Sequence, residues 1–244
     1  MAQRIRARLR KLHDARFMSH LDLRRALERA LRRAGIPVAL TQGFNPHPRF
    51  SLATALPVGA GSDAEYAEFF LEGRLGPLEF AKALSGSLPP GIEVAEVMEV
   101  PEMGPSLEAQ VRAASYRVSA RCDETLAPVA LEKAIEDLLS MDTIPVRKRG
   151  KEGRTHDARP LMHSLEVLSL DGGEVTIRMV LGVGPQGTLR PKEVMSLLSS
   201  RLEDRIDLGH IDVHREDLLL KGSPCKSQRS FCSKPHLMDA YEER

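Results

Sequence analysis

The sequence predicts an α+β protein built from two tandem ferredoxin-like units, each a β-α-β-β-α-β run with an antiparallel sheet and helices on one face. Three observations predict it. Arg4-Ile5-Arg6-Ala7-Arg8-Leu9-Arg10 alternates strictly, as a strand with one buried face does. Leu23, Ala26, Leu27, Ala30, Leu31 and Ala34 follow it at helical spacing. The same succession restarts at Tyr116-Arg117-Val118-Ser119-Ala120-Arg121, and Ile144-Pro145-Val146 repeats Ile36-Pro37-Val38 at an offset of 108.

In chain order, Ser19 is placed to cap the first helix, with Asp22 three residues on as a capping-box partner, and Gly35 ends it. A short strand is expected at 38–41, then the loop Gly43-Phe44-Asn45-Pro46-His47-Pro48. Pro46 and Pro48 push Asn45 and His47 toward extended geometry, so this loop is stiff and cannot be helix. Extended chain at 50–56, a strand at 66–71, a helix opening at Gly76-Pro77 and a strand at 92–97 complete the first unit. Residues 100–110 have the proline, glycine and polar content of a linker. In the second unit, Pro128 starts a helix, Asp171-Gly172-Gly173 turns a hairpin between 161–170 and 174–183, Pro191 opens another helix, and 211–220 is the last strand. The domains are therefore expected at 1–105 and 111–220, with a disordered polar tail at 221–244.

The net charge of +1 conceals a segregation. Residues 1–49 hold twelve Lys/Arg against three Asp/Glu, a balance of +9, whereas residues 50–110 hold two against ten, a balance of −8. Such a division marks either a nucleic-acid footprint or two oppositely charged pieces packed together. In the predicted topology Glu68, Glu72 and Glu93 can pair across strands with Arg6, Arg8 and Arg10; the alternative is a sheet that turns these arginines toward RNA. The helical arginines have no such evident partners. Arg24, Arg25, Arg29, Arg32 and Arg33, with Gln42, Phe44, Asn45, His47 and Arg49 of the loop, form the candidate RNA-binding set. Arg147, Lys148 and Arg149 add a second basic cluster at the same station of the second unit. A solvated surface is the bland reading of both clusters. Aromatics are few and tryptophan is absent, so neither unit carries an RRM-type stacking strand.

Catalytic signals are weak. His20 and His47 are candidates for an acid–base pair in RNA cleavage, or for metal ligands with Asp22, but no diagnostic ligand spacing exists. A His20 packed at a helix start is the plainer alternative. Cys122, Cys225 and Cys232 do not make a disulfide scaffold, and Cys225 and Cys232, near His236, lack a zinc or iron–sulfur spacing. The chain contains no Walker loop, GxGxxG or GxSxG. It has no apolar run of 18 residues and no apolar leader, and is expected to be cytoplasmic.

From Arg4 to about Tyr66 the chain resembles the radical-SAM-linked conserved hypothetical family of bacteria, encoded beside or fused behind a large radical SAM protein. The likeness rests on Ser19-His20-Leu21-Asp22, Arg32-Arg33-Ala34-Gly35, Gly43-Phe44-Asn45-Pro46-His47-Pro48, Ser51, Leu56-Pro57-Val58-Gly59 and Glu65-Tyr66. It brings no active site to carry over. It implies partnership with a radical SAM enzyme, whose cluster sits on a CxxxCxxC motif that this chain lacks. The leading expectation is a non-catalytic adaptor, without a cofactor of its own, that binds tRNA or rRNA for modification by that partner. The alternatives are a metal-independent endoribonuclease using His20 or His47, and a protein-only scaffold for the radical SAM enzyme.

Overall fold

The computed structural model describes residues 3–147 and 155–221. It is an α+β structure organised on one large mixed sheet. The strands in chain order are β1 (Gln3–Lys11), β2 (Phe50–Leu52), β3 (Gly61–Leu71), β4 (Ile92–Val100), β5 (Val111–Cys122), β6 (Pro145–Arg147), β7 (Thr155–Asp157), β8 (Met162–Asp171), β9 (Glu174–Gly182) and β10 (Ile206–Leu220). The helices are α1 (His20–Arg33), α2 (Pro77–Ser85), α3 (Leu107–Gln110), α4 (Pro128–Ser140) and α5 (Pro191–Arg201). The sheet runs β4-β1-β3-β10-β5-β9-β8, with β2 also on β3; β6 and β7 form a separate hairpin.

Each half repeats one arrangement. In the first, β1 lies between β3 and β4 and antiparallel to both; in the second, β5 lies between β9 and β10 in the same way. The halves are not separate antiparallel sheets, as the pattern suggested. β3 and β10 join them in parallel, at only two residue pairs, Gly61 with His214 and Ser62 with Arg215. β2 takes the same edge of β3 further along, pairing Phe50–Leu52 with Phe69–Ala67.

The two apolar periodicities meet as expected. Ile5, Ala7 and Leu9 of β1 and Ala67, Phe69 and Leu71 of β3 pack with Leu23, Leu27, Ala30 and Leu31 of α1 and Phe80 and Leu84 of α2. Each buried leucine here contributes about 2 kcal/mol by leaving water. Ser19 caps α1: its Oγ accepts from the Asp22 amide at 3.1 Å and donates to the Asp22 carboxylate at 2.6 Å. At the other end Gly35 sits at φ +62°, and the amides of Gly35 and Ile36 return to the carbonyls of Arg32 and Leu31, a Schellman closure. The second core joins Tyr116, Val118 and Ala120 of β5 and Val175, Ile177 and Met179 of β9 to Leu131, Ile135 and Leu138 of α4 and Val194 and Leu198 of α5.

The other face of β1 settles what its arginines do. Glu68 is fully buried and takes two of them. Arg4 Nε donates to one carboxylate oxygen at 2.8 Å, and Arg6 donates to the other through Nε at 2.9 Å and Nη2 at 2.7 Å. Arg10 lies 3.7 Å from Glu93 and 3.6 Å from Asp63, and Arg8 lies 3.4 Å from Asp217 of β10. The charge ladder is therefore present for Arg6 with Glu68 and Arg10 with Glu93, with three corrections: Arg4 belongs to it, Arg8 pairs with Asp217 of the other half instead, and Glu72, exposed past the end of β3, is not part of it. A sheet presenting these arginines to RNA does not hold for Arg6 and Arg8, whose side chains are largely buried in their ion pairs, whereas Arg10 is half exposed while paired with Asp63 and Glu93.

Other sequence expectations shift at their edges. Residues 38–41 make no regular strand; Val38 bridges to Leu71 and Leu40 to Pro48, forming the stem of a small hairpin. Extended pairing from Phe50 stops at Leu52, while β3 begins at Gly61, β4 reaches Val100 and β10 begins at Ile206. The 100–110 segment is not a free linker. Ser106 caps α3 by accepting from the Ala109 amide, and Leu107 is fully buried in the second core. The tail expectation for 222–244, with Cys225, Cys232 and His236, lies outside the described residues.

A second ionic group is buried where the halves meet. Arg215, fully buried, donates to Glu65 at 2.9 Å, and the ammonium of Lys11 lies beside them, donating to the Met18 carbonyl at 3.3 Å. Burial pushes the Lys11 pKa below its ordinary value; Glu65 opposes that shift and Arg215 adds to it. Glu68→Ala should lower unfolding free energy by about 3–5 kcal/mol in urea titrations, because two guanidinium groups lose one buried carboxylate. Lys11→Met should be neutral or stabilising by about 1 kcal/mol, since Arg215 keeps Glu65 paired. Between the folded pKa of Lys11 and 10.5 the unfolded chain binds the extra proton, so this group makes stability rise with pH across that window. The difference between wild type and Lys11→Met should shrink through it.

Candidate nucleic-acid interface

α1 presents its sequence-predicted arginines in two classes. Arg24 and Arg25 are partly engaged: Arg24 lies 5.0 Å over the Phe50 ring and 3.4 Å from Glu28, and Arg25 lies 3.7 Å from Asp22. Arg33 donates to the Ser87 carbonyl. Arg29 and Arg32 are exposed and have no salt bridge among the described residues. The outward face of α1 is thus cationic, and its N-terminal turn carries one carboxylate. The Ser19 hydroxyl holds the Asp22 carboxyl below its usual pKa, so Asp22 stays ionised beside Arg25.

The proline-rich loop is a pinned hairpin. The Ala39 amide donates to the Phe70 carbonyl at 2.7 Å, and the Phe70 amide donates to the Arg49 carbonyl at 3.2 Å. Within the hairpin the Arg49 amide bonds Ala39 at 2.6 Å and the Thr41 amide bonds His47 at 2.8 Å, while the His47 amide donates to Thr41 Oγ1 at 3.0 Å. Pro48 is buried underneath. Gln42, Phe44 and Asn45 form the exposed tip, and Phe44 is fully exposed.

Arg49 is the best-organised cation of the set. Its guanidinium lies over the Phe70 ring at 4.2 Å, while Arg4, already tied to Glu68, lies 5.6 Å from the same ring. Phe50 and Phe69 face the α1 core, so Phe70, next along β3, faces the opposite side of the sheet. The sequence set is therefore split. Arg24, Arg25, Arg29, Arg32 and Arg33 lie on the helix layer, whereas Arg49 lies around the β2 edge on the other face. Phe70 was missed by sequence reasoning. The available signal was an aromatic on the polar face of a strand, alternating with Glu68.

Arg147 is exposed on β6, opposite Thr155 of β7; Lys148 and Arg149 lie outside the described residues. β3, β10 and β9 run in one direction, so their C-terminal ends share one rim of the sheet. The first hairpin is fixed at the end of β3, and β6–β7 precedes β8 beside the end of β9. Both halves thus place a hairpin at the same rim.

His20, half-buried in the first turn of α1, and His47, exposed on the hairpin, are not joined by a hydrogen bond, and no carboxylate orients either ring among the described residues. Among those residues no group of three or more His, Cys, Asp or Glu could hold a metal ion, and no helix is long and apolar enough to cross a membrane.

Residues 4–191 match the model of the family described as "Uncharacterized protein conserved in bacteria", DUF2344. The chain belongs to this family. No curated protein matches it. Among solved structures it is similar to a chain of "Crystal Structure of a Cbf5-Nop10-Gar1 Complex", at 10% identity over 88% of this chain and 48% of that one, with a TM-score of 0.55. It also matches a chain of "Structure of H/ACA RNP bound to a substrate RNA containing 2'-deoxyuridine" at 9% identity over 86% of this chain and 46% of that one, TM-score 0.49. The DUF2344 chain thus spans about half the length of these neighbours, and at such identity the first likeness is one of fold alone.

Ser19→Ala should return the Asp22 pKa toward its ordinary value in an NMR titration and cost about 1 kcal/mol of stability through the lost cap. An unmoved Asp22 titration would show that the capping hydroxyl does not control this end of the helix.

Proposed function

We propose that this DUF2344 protein is a non-catalytic accessory that binds RNA through the outward face of α1 and the hairpin that follows it. It is read as two ferredoxin-like repeats, residues 1–105 and 111–220, with the RNA-binding surface on the first. One observation carries the reading. The sheet engages Arg4, Arg6, Arg8 and Arg10 of β1 in buried or cross-strand ion pairs, yet Arg29, Arg32 and Arg49 remain exposed with no salt bridge among the described residues, and Phe44 in the same stretch of chain is fully exposed. Exposed arginines without salt bridges, on a chain that also exposes an aromatic ring, suit a phosphate backbone with an accessible base, and the phosphate contacts set affinity and register.

The radical SAM partnership rests on the sequence resemblance. With no CxxxCxxC motif in this chain, the radical chemistry is assigned to the partner, and this protein presents the RNA to it. The likeness to a Cbf5 complex component is compatible with work beside RNA but adds no residue role.

Arg29→Glu with Arg32→Glu should weaken binding to bulk tRNA at least tenfold. It should also flatten the slope of log K against log salt by about 1.4, two phosphate contacts at roughly 0.7 each. The melting temperature should stay unchanged, because neither side chain is packed. Unaltered affinity in a folded double variant, measured by filter binding at several salt concentrations, would sink the assignment.

A further inference from the structure

We infer that the hairpin takes unpaired nucleotides, with a base stacked on the Arg49 guanidinium, so that the RNA recognised is a single-stranded or looped segment rather than a continuous duplex. This rests on the RNA-binding reading and adds the class of ligand.

The geometry comes from three coupled features. Arg49 is exposed, yet its guanidinium is not free to wander: it lies on Phe70 at 4.2 Å, and the backbone on both sides of that ring is bonded to the hairpin. The ring covers one side of the guanidinium, and the exposure of Arg49 leaves it open to a ligand. A planar cation held in this way is a platform for a nucleobase, which stacks on arginine as it does on an aromatic ring. Second, no carboxylate competes for Arg49 among the described residues. Third, the register of the stem puts His47 and Arg49 on the same hairpin face, one two-residue step of roughly 6.6 Å apart, with Pro48 buried on the other. That is a spacing for splayed bases, each with its own planar neighbour, and it exceeds the stacking distance inside a helix. Phe44 at the tip offers a further exposed ring.

A duplex cannot use such a row. Its bases are already stacked on one another, and the deep, narrow A-form major groove withholds their edges. Arg25, Arg29 and Arg32 on the helix layer would hold phosphates of the flanking strand as it passes around the β2 edge.

The test uses the full chain and three probes at one salt concentration: a 12-nucleotide RNA carrying 2-aminopurine, the same RNA annealed to its complement, and the DNA of the same sequence. The expected result is single-stranded RNA bound at least tenfold more tightly than the duplex, with a change in 2-aminopurine fluorescence on binding. Arg49→Lys keeps the charge and removes the planar face; it should lose most of that preference and the fluorescence change while leaving the salt slope intact. Phe44→Ala, at a fully exposed position where folding is not at risk, should weaken single-strand binding by a smaller factor. Equal affinity for strand and duplex, or an Arg49→Lys protein that behaves as wild type, overturns the inference. It leaves the RNA-binding reading standing if the α1 charge reversals still weaken tRNA binding. No binding of any probe or of tRNA overturns both. Equal binding of the DNA strand supports stacking on bases and places the sugar outside the recognition.

Discussion

The interaction on which the sheet depends is the shared carboxylate of Glu68. Arg4 and Arg6 converge on it from β1, one on each oxygen, with Gln110 accepting from Arg6 at 2.8 Å and the Pro105 carbonyl accepting from Arg4 at 2.9 Å. A buried anion of this kind is tolerable only with its cations in place. It therefore fixes three things together: the register of β1 against β3, the return of the 101–110 segment over that face, and the placement of α3. Part of the opposite charge of residues 1–49 and 50–110 is paired across this face, Arg4 and Arg6 with Glu68 and Arg10 with Asp63 and Glu93.

The join between the halves follows another logic. Two parallel residue pairs are a slight backbone connection, and side chains reinforce it on both faces. Arg215 reaches Glu65 and, at 3.3 Å, the Ala55 carbonyl; His214 meets Asp63 at 2.8 Å; Arg8 reaches Asp217; Arg16 reaches Asp212 at 3.0 Å. Close approach is required there too, since a Cβ on Gly61 would lie 2.7 Å from His214 Nδ1. The seam is specified by matched charges and one missing side chain.

What could be read in advance was whatever has a local period. The alternation of β1, the stripe and both ends of α1, the proline-led helices and the Gly172-Gly173 hairpin all stand where pattern put them. Which carboxylate the arginines choose was only half legible: Glu68 and Glu93 lie in alternating strands, but Asp217 lies about two hundred residues from Arg8 and shares no pattern with it. The parallel β3–β10 pairing left no trace, because two residue pairs make no period. At the interface, the exposed arginines and the stiff loop were legible from composition and prolines. The division of that set between two faces was not, because it depends on the hairpin folding back so that Arg49 reaches the Phe70 side of β3, and the alternation of Ala67, Phe69 and Leu71 fixes only the strand's own faces.

β10 is the last strand in chain order among the described residues and yet lies in the middle of the sheet, between β3 and β5. During synthesis the first half emerges with the Gly61–Ser62 stretch of β3 unpaired and with Glu65 lacking Arg215. β5 likewise waits for its longest partner. The growing chain therefore carries two open strand edges until β10 leaves the ribosome, the condition in which nascent proteins mispair and engage chaperones. A protein arranged this way closes from the inside, and β10 decides whether two half-formed layers become one.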